Sequence, residues 1–280
     1  MTIFRDDIST QSSISVIYLI RQKWSDSTVN VNVLGASGGL ESSQGTSAFL
    51  LNPSTLLDAG TGVNQLSNEQ LGGLKNILLT HAHIDHIASL PLLIDSLFET
   101  LVSRRQALTV YALPDVIKAL QSHIFNHVIW PDFAQLPSPE QPVLRYVPIT
   151  HWHPYTFDAT VAVTPFPVTH GVPACGYWIS CPTGTVGFSG DTGLSDITIQ
   201  SLNRLGALDT LVIECAFPNH LDRLAESAYH LTPQRLAKLF YRVATPPKKL
   251  LITHLKPPYR SKIIQQLHAA LPTTQPWQAI

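Results

Sequence analysis

Residues 80–91 read THAHIDHIASLP, and within them His81, His83, Asp85 and His86 form an H-x-H-x-D-H cluster. An apolar run at residues 77–79 leads directly into the cluster and predicts a buried strand. The polar side chains therefore lie where a core strand opens into a loop, which is where α/β proteins build their sites. A polar loop whose histidines only form hydrogen bonds is the alternative, but this density of imidazole and carboxylate favours a metal site.

Three further polar residues, His170, Asp191 and His254, each follow an apolar run. Because the ends of such runs meet at one rim of a sandwich, we expect these side chains to converge on the cluster. The combined set suits two divalent ions; zinc is the expected metal, although iron or manganese tolerate similar ligands. One ion is assigned to His81, His83 and His170, the second to Asp85, His86 and His254, with Asp191 as the bridge.

The composition favours a small substrate and a reducing compartment. Charged residues make up 13% of the 280 residues, and the formal net charge is -1. Such a chain lacks the basic excess with which proteins neutralise long nucleic acids, so no large nucleic-acid partner is expected. The three cysteines, Cys175, Cys181 and Cys215, form no C-x-x-C pair, which is typical of free buried thiols in a cytoplasmic protein.

Residues 1–29 are interpreted as an N-terminal extension or edge strand. Their apolar patch, Ile14–Ile20, is too short to span a bilayer, and the sequence before it lacks the features of a signal peptide. We therefore expect a soluble, cytoplasmic protein without membrane contact. The same patch is a candidate pairing edge for a homodimer.

The remaining residues, 30–280, are interpreted as one α/β domain. Apolar runs separated by turn residues predict strands, and a 3.6-residue spacing predicts helices after the metal cluster and again near the end. Two halves, each of strands followed by helices, indicate two packed mixed sheets with helices outside. A helical and proline-rich insertion is expected near residues 113–148, because five prolines between residues 131 and 148 predict an irregular connection. Strands are predicted at 31–33, 48–51, 55–57, 77–79, 161–163, 176–180, 185–188, 210–213 and 250–253, and helices at 90–101, 116–124, 233–242 and 262–270.

Over residues 30–256 the order of these motifs resembles the metallo-β-lactamase superfamily, which carries H-x-H-x-D-H, a later His, a bridging Asp and a final His. The resemblance implies that superfamily's four-layer αββα sandwich. The segment LLDAG, residues 56–60, also resembles the superfamily's early Asp-containing motif. By that resemblance Asp58 supports the metal loop and is not itself a ligand.

Three stretches are similar to class II 3′,5′-cyclic-nucleotide phosphodiesterases: residues 33–50, 81–96 and 124–133. The resemblance implies hydrolysis of cyclic AMP, cyclic GMP or both to the 5′-nucleotide, by attack of a metal-bridging hydroxide on phosphorus. It makes Trp130 and Phe133 candidates to stack on the base and Asn126 a candidate polar contact. The alternative for these aromatic residues is local packing.

Glu214 and His230 form a second candidate pair, whose spacing resembles phosphodiesterase branches that include tRNA 3′-processing nucleases. The resemblance implies that the His contacts phosphate or protonates the leaving oxygen while the Glu fixes its tautomer. Asp85 is the other candidate proton donor, and His220 is a rival for the role of His230. The alternative for His230 is an ordinary capping region before a helix.

Three other functions compete with this interpretation. A tRNA 3′-processing endonuclease is expected to carry a flexible basic arm, and the sequence shows no glycine- and lysine-rich insertion of that kind. A β-lactam or lactone hydrolase does not account for Glu214, His230 and residues 124–133. A metal-binding scaffold without turnover is disfavoured because all seven ligand candidates are present.

Overall fold

The structure is a computed structural model that describes residues 31–41, 44–157, 161–181 and 184–280. The predicted extension at residues 1–29, with its candidate pairing edge, lies outside these residues, so neither the edge strand nor the homodimer is tested.

Two seven-stranded sheets form the centre of the described chain. The first has the order β2-β1-β3-β4-β5-β6-β7 and the second the order β14-β13-β12-β11-β10-β9-β8. Each sheet combines antiparallel pairs with a run of four parallel strands, β4 to β7 and β11 to β14. The strands are β1 Asn32–Ser37, β2 Gly45–Thr46, β3 Ala48–Asn52, β4 Thr55–Leu57, β5 Asn76–Leu78, β6 Leu108–Ala112, β7 Leu144–Pro148, β8 Tyr155–Phe157, β9 Val161–Pro167, β10 Cys175–Cys181, β11 Gly184–Phe188, β12 Thr210–Glu214, β13 Lys249–Thr253 and β14 Trp277–Ala279.

Helices cover the outer face of each sheet. The α-helices are α1 Asn68–Gly73, α2 Ile84–Ile87, α3 Leu90–Arg104, α4 Pro114–His123, α5 Asp196–Leu205, α6 Asp222–Ser227, α7 Pro233–Phe240 and α8 Arg260–Ala270, with short 3-10 helices at Thr61–Gln65, Asn219–Leu221 and Pro257–Tyr259. Several begin with a side-chain cap: Ser67 accepts from the Gln70 amide before α1, and Ser195 accepts from the Thr198 amide before α5.

Side-chain alternation along the strands separates three apolar layers. Ile77 and Leu79 pack against helices of the first half, whereas Leu78 between them packs in the layer between the sheets. In β13, Leu250 packs against outer helices of the second half and Leu251 faces the first sheet. Because both faces of these strands are buried, their amino-acid sequences are unbroken apolar runs. The layers therefore run helix, sheet, sheet, helix, which confirms the predicted four-layer α/β sandwich.

The insertion predicted near residues 113–148 ends earlier than expected, because its last five residues belong to the first sheet. Residues 144–148 are β7, which pairs in parallel with β6 along five residues and forms an edge of the first sheet. Its last residue is Pro148, which an edge strand tolerates because the missing N–H removes no bond from the interior of the sheet. Only the segment from α4 to residue 143 connects the two strands.

One helical stretch, Ile84–Arg104, is long and apolar enough to cross a membrane by length and composition. Its apolar side chains, including Leu90, Ile94 and Leu101, are buried in the layer beneath the first sheet. A core helix has the same composition, so this stretch is explained by packing.

Candidate metal centre and active site

Strand ends from both sheets meet at one edge of the sandwich and carry the candidate site. His81 and His83 follow β5, and Asp85 and His86 lie in α2 directly after them. In the second sheet, β9 runs in the same direction as β11 to β13, because β9 and β11 are both antiparallel to β10. His170, Asp191 and His254 follow β9, β11 and β13 respectively, so all seven predicted ligands converge.

Two groups of ligand atoms form around the shared carboxylate of Asp191. Within each group, the ligand atoms lie within 4.8 Å of one another. Asp191 Oδ2 lies 3.8 Å from His81 Nε2 and 4.0 Å from His170 Nε2, while its Oδ1 lies 3.4 Å from His86 Nε2. The groups are His81, His83, His170 and Asp191, and Asp85, His86, Asp191 and His254. Asp191 thus stands between two sets of ligands, the arrangement expected for a bridge.

The donor atoms themselves fit metal ions. Nε2 of His81 and Nε2 of His86 are both buried, and neither has a hydrogen-bond partner among the described residues. A buried ring nitrogen without a partner is unfavourable unless something binds its lone pair. Imidazole nitrogens and carboxylate oxygens at these positions suit first-row divalent ions.

Asp58 holds the ligand loop from behind. Its Oδ2 lies 2.7 Å from His86 Nδ1 and accepts from Ser47 Oγ at 2.9 Å, while its Oδ1 accepts from the Thr80 amide at 2.8 Å. Asp58 is fully buried. Its backbone φ is +55°, a conformation that Asp adopts more readily than most residues other than Gly. A proton held on His86 Nδ1 leaves Nε2 free to bind metal.

Burial and neighbouring charge set the protonation of the cluster. Burial lowers the pKa values of His81, His170 and His254, which favours the neutral imidazoles that metals bind. Burial also lowers the pKa of His86, but the carboxylates of Asp191 and Asp58 outweigh it and raise that pKa. The pKa of Asp191 is low because the surrounding histidines outweigh the effect of its burial.

Glu214 and His230 form a buried pair beside this cluster. His230 Nδ1 lies 2.6 Å from Glu214 Oε1, and Glu214 also accepts from the backbone amides of Thr192, Ala216 and Leu231, each at 3.1 Å. Burial lowers the pKa of His230, but the Glu214 carboxylate outweighs it and the pKa is raised. Because Nδ1 faces Glu214, Nε2 is the ring nitrogen left for a substrate.

The imidazole of His230 also lies against the metal ligands. Its ring centroid is 5.2 Å from that of His170 and 5.2 Å from that of His254. The rival His220 is exposed in the 3-10 helix Asn219–Leu221, where its ring contacts Tyr259. Geometry therefore favours His230 over His220.

Two residues that the sequence did not single out lie near the same pair. Tyr229 is 45% exposed, has a φ of +55°, and its carbonyl oxygen lies 3.2 Å from His170 Nδ1. Lys256 follows His254 by two positions, and its Nζ lies 5.2 Å from the Phe217 ring centroid and donates to the Gly38 carbonyl at 3.3 Å. The position of Lys256, two residues after a metal ligand that follows a strand, is visible in the sequence and could have identified this cation as a site candidate.

Of the three predicted substrate contacts, the structure contradicts one and leaves two untested. Phe133 is 3% exposed and packs against Phe98 and Phe125, so its ring has no face free for a base, and that prediction is wrong. Trp130 packs partly buried against the same helical layer. Asn126 bonds its own turn, accepting from the amides of residues 128 and 129. The described contacts do not connect Trp130 or Asn126 to the metal ligands.

Comparison with known proteins defines the class. The family described as "Beta-lactamase superfamily domain" matches residues 49–255, which is most of the chain. The chain belongs to this superfamily, and its fold is the metallo-β-lactamase fold. The fold implies divalent metal binding, in agreement with the two ligand groups at the strand ends.

The curated relatives that match by sequence are named 3′,5′-cyclic-nucleotide phosphodiesterases, whereas the similar solved structures also include human tRNase Z, at 22% identity and a TM-score of 0.60 over 81% of this chain and 93% of that one. This chain is 28% identical over 269 residues to a 3′,5′-cyclic-nucleotide phosphodiesterase of Aliivibrio fischeri, covering 80% of this chain and 77% of that protein. A shorter match, 39% over 64 residues, joins 23% of this chain to 17% of 3′,5′-cyclic-nucleotide phosphodiesterase 1 of Saccharomyces cerevisiae. The crystal structure of unliganded yeast PDE1 superposes with a TM-score of 0.71 at 19% identity, covering 89% of this chain and 96% of that one.

Proposed function

We propose that this protein is a two-zinc phosphodiesterase that hydrolyses 3′,5′-cyclic nucleotides to 5′-nucleotides. The observation that carries the proposal is the contact between the Glu214–His230 pair and the metal ligands. A hydrolase that breaks a phosphodiester needs a proton for the leaving alkoxide, and this pair can supply one next to the metals. The phosphodiesterase names of the relatives support the same substrate class.

The residues that hold the ions are the two groups of ligands around Asp191. When bound, two divalent ions generate a nucleophile from water at neutral pH and neutralise charge that develops on the phosphate oxygens. Asp58 and Thr80 fix the orientation of the ligand imidazoles, since Thr80 Oγ1 lies 3.0 Å from both His81 Nδ1 and Asp58 Oδ1.

His230 acts as the general acid in this proposal. Its Nδ1 faces Glu214 Oε1, so the proton on Nε2 is the one that passes to the leaving 3′ oxygen. Glu214 holds the tautomer and stabilises the imidazolium, and three backbone amides hold Glu214 in turn. Asp85 belongs to a ligand group in this arrangement, which leaves proton donation to His230.

Lys256 and Tyr229 replace Trp130 and Phe133 as the proposed substrate contacts. Lys256 lies near His230 over the Phe217 ring, where an ammonium group can pair with a non-bridging phosphate oxygen. Tyr229 lies next to both His170 and His230 and exposes its ring, which is available to stack on a base. The substrate is thus a small molecule held between the metal centre and these two side chains.

A substrate panel on zinc-loaded protein tests the proposal. We expect cyclic AMP or cyclic GMP to be converted to the 5′-nucleotide, with precursor tRNA and nitrocefin left intact. In heavy-oxygen water the label should enter the phosphate, because water attacks phosphorus. Cleavage of precursor tRNA without cyclic-nucleotide turnover would overturn the proposed substrate class.

His230→Ala and His220→Ala form a matched pair for the catalytic role. The first should retain zinc and lose most activity, whereas the second should behave as wild type. Equal activities for the two variants would refute the assignment of His230. A cytoplasmic location completes the proposal, and the buried free thiols of Cys175 and Cys215 fit a reducing compartment.

A further inference from the structure

A cavity of about 350 Å³ lies at the opposite end of the first sheet from the metal centre. Its lining comes from the beginnings of β5, β6 and β7, at Asn76, Thr109 and Arg145, and these three strands run parallel. The metal ligands follow the other end of β5. Lys75 and His81 are six residues apart, so at about 3.3 Å per extended residue they lie roughly 20 Å apart.

Three cations from separate parts of the chain line this cavity: Lys75, Arg105 and Arg145. Within the described residues, none of their side chains forms a hydrogen bond or an ion pair. The lining includes one carboxylate, that of Glu140. All three cations are exposed, and an anion placed between them is attracted by each.

Some other cations of the described chain are paired with carboxylates. Arg235 contacts Asp222 at 2.6 Å, and Lys248 contacts Asp209 at 2.7 Å. Charged residues are sparse in the chain, at 13% of all residues. Lys118 and Arg223 also form no side-chain hydrogen bond or ion pair within the described residues, but they lie on two different helices, whereas Lys75, Arg105 and Arg145 line one cavity.

Apolar side chains form part of the cavity floor. Leu74, Leu101 and Val143 are buried beneath it, and Pro142 lines it. Gln106 and Gln141 add two side-chain amides at the rim. A ligand that fits both parts has a flat, weakly polar body for the floor and a multiply charged anionic group for the rim.

We propose that this cavity binds a small organic phosphate of nucleotide size, with the phosphate held by Lys75, Arg105 and Arg145 and the ring body resting on the apolar floor. Its volume lies in the range of pockets for ligands of that size. The arginines supply planar donor pairs that match phosphate oxygens, and Lys75 supplies a point charge. The site is separate from the metal centre and does not depend on the proposed reaction.

Chemical protection of Lys75 tests this site locally. The zinc-loaded protein is treated with an amine-acetylating reagent, and acetylation of Lys75 is followed by mass spectrometry with 5′-AMP, adenosine or inorganic phosphate present. We expect saturating 5′-AMP to slow acetylation of Lys75 about tenfold or more, with weaker protection by phosphate and none by adenosine, since the charge and the ring contribute together. Lys262, exposed on α8, reports the unprotected rate in the same sample and is present in every variant.

A matched pair of variants makes the test decisive. Arg105→Glu/Arg145→Glu should abolish protection of Lys75, whereas Lys118→Glu/Lys238→Glu, with the same change in net charge on α4 and α7, should retain it. Absence of protection by 5′-AMP in wild type, or its persistence in Arg105→Glu/Arg145→Glu, would overturn the proposal. Because the readout is the modification of Lys75, the outcome does not depend on whether the metal centre hydrolyses cyclic nucleotides.

Discussion

Replacing the buried carboxylate of Asp58 by an amide should weaken zinc binding without removing any ligand. In Asp58→Asn, the oxygen that accepts from the Thr80 amide is retained. In the wild type, Oδ2 accepts from Ser47 Oγ and faces His86 Nδ1. The NH₂ group of Asn takes the place of this oxygen in the variant. An amide N–H that points at His86 Nδ1 forces the imidazole proton onto Nε2, the atom assigned to metal.

The size of the effect follows from this change of tautomer. Loss of a partner that orients a metal-ligating histidine costs roughly 10–100-fold in metal affinity, or about 1.4–2.8 kcal/mol. Asn tolerates the backbone conformation at φ +55° that Asp58 adopts, so the substitution should not add backbone strain. The loss should therefore appear mainly in zinc affinity.

Zinc dissociation constants from competition with a chromophoric chelator provide the assay, and near-UV circular dichroism checks the fold. Asp209→Asn is the control, because that carboxylate accepts from Thr185 near the beginning of β11 and from Lys248 just before β13, whereas the metal ligands follow the other ends of these strands. A folded Asp58→Asn protein with the zinc affinity of wild type would refute the reasoning about His86.

Four further outcomes are expected. Asp191→Ala should lose both zinc content and turnover because both ligand groups share its carboxylate, and wild-type zinc stoichiometry by mass spectrometry would contradict the bridge. His230→Ala should retain zinc and lower kcat roughly 10²–10⁴-fold, as for a lost general acid, and an unchanged kcat would exclude that role. Lys256→Gln should reduce kcat/KM about 10–100-fold at full zinc occupancy, since a bond to a charged group contributes about 1.5–3 kcal/mol, and steady-state kinetics measures it. Phe133→Ala should destabilise the fold by about 3–5 kcal/mol in denaturant unfolding while the folded protein keeps its kcat/KM, and a selective loss of activity would return Phe133 to the substrate site.

The sequence predicts those parts of the fold in which the local pattern and the tertiary environment agree. β5 and β13 are buried on both faces, so their apolar runs are visible without the structure. Three strands of the first sheet were missed: β2, β6 and β7. Of these, β2 has only two residues. β6 lies in a short stretch between two helices, and β7 lies in a proline-rich segment, which is compatible with a strand only because β7 is an edge.

Some residues of the candidate site could be predicted from the sequence, and others could not. The seven ligand candidates follow strands whose ends meet, so residue type and position in the chain were enough to propose them. Tyr229 was missed because its proximity to His170 depends on a left-handed turn that the sequence does not display. Phe133 was misplaced because an aromatic residue near prolines fits either a binding site or a core, and only the packing against Phe98 distinguishes them.

Titration of chelator-treated protein with zinc, followed by the rate of cyclic-nucleotide hydrolysis, tests the central claim most directly. The account predicts no turnover without metal, a rise that saturates at two zinc ions per chain, as the two ligand groups require, and a 5′-nucleotide as product. Absence of 5′-nucleotide from both cyclic AMP and cyclic GMP at two bound zinc ions would contradict it.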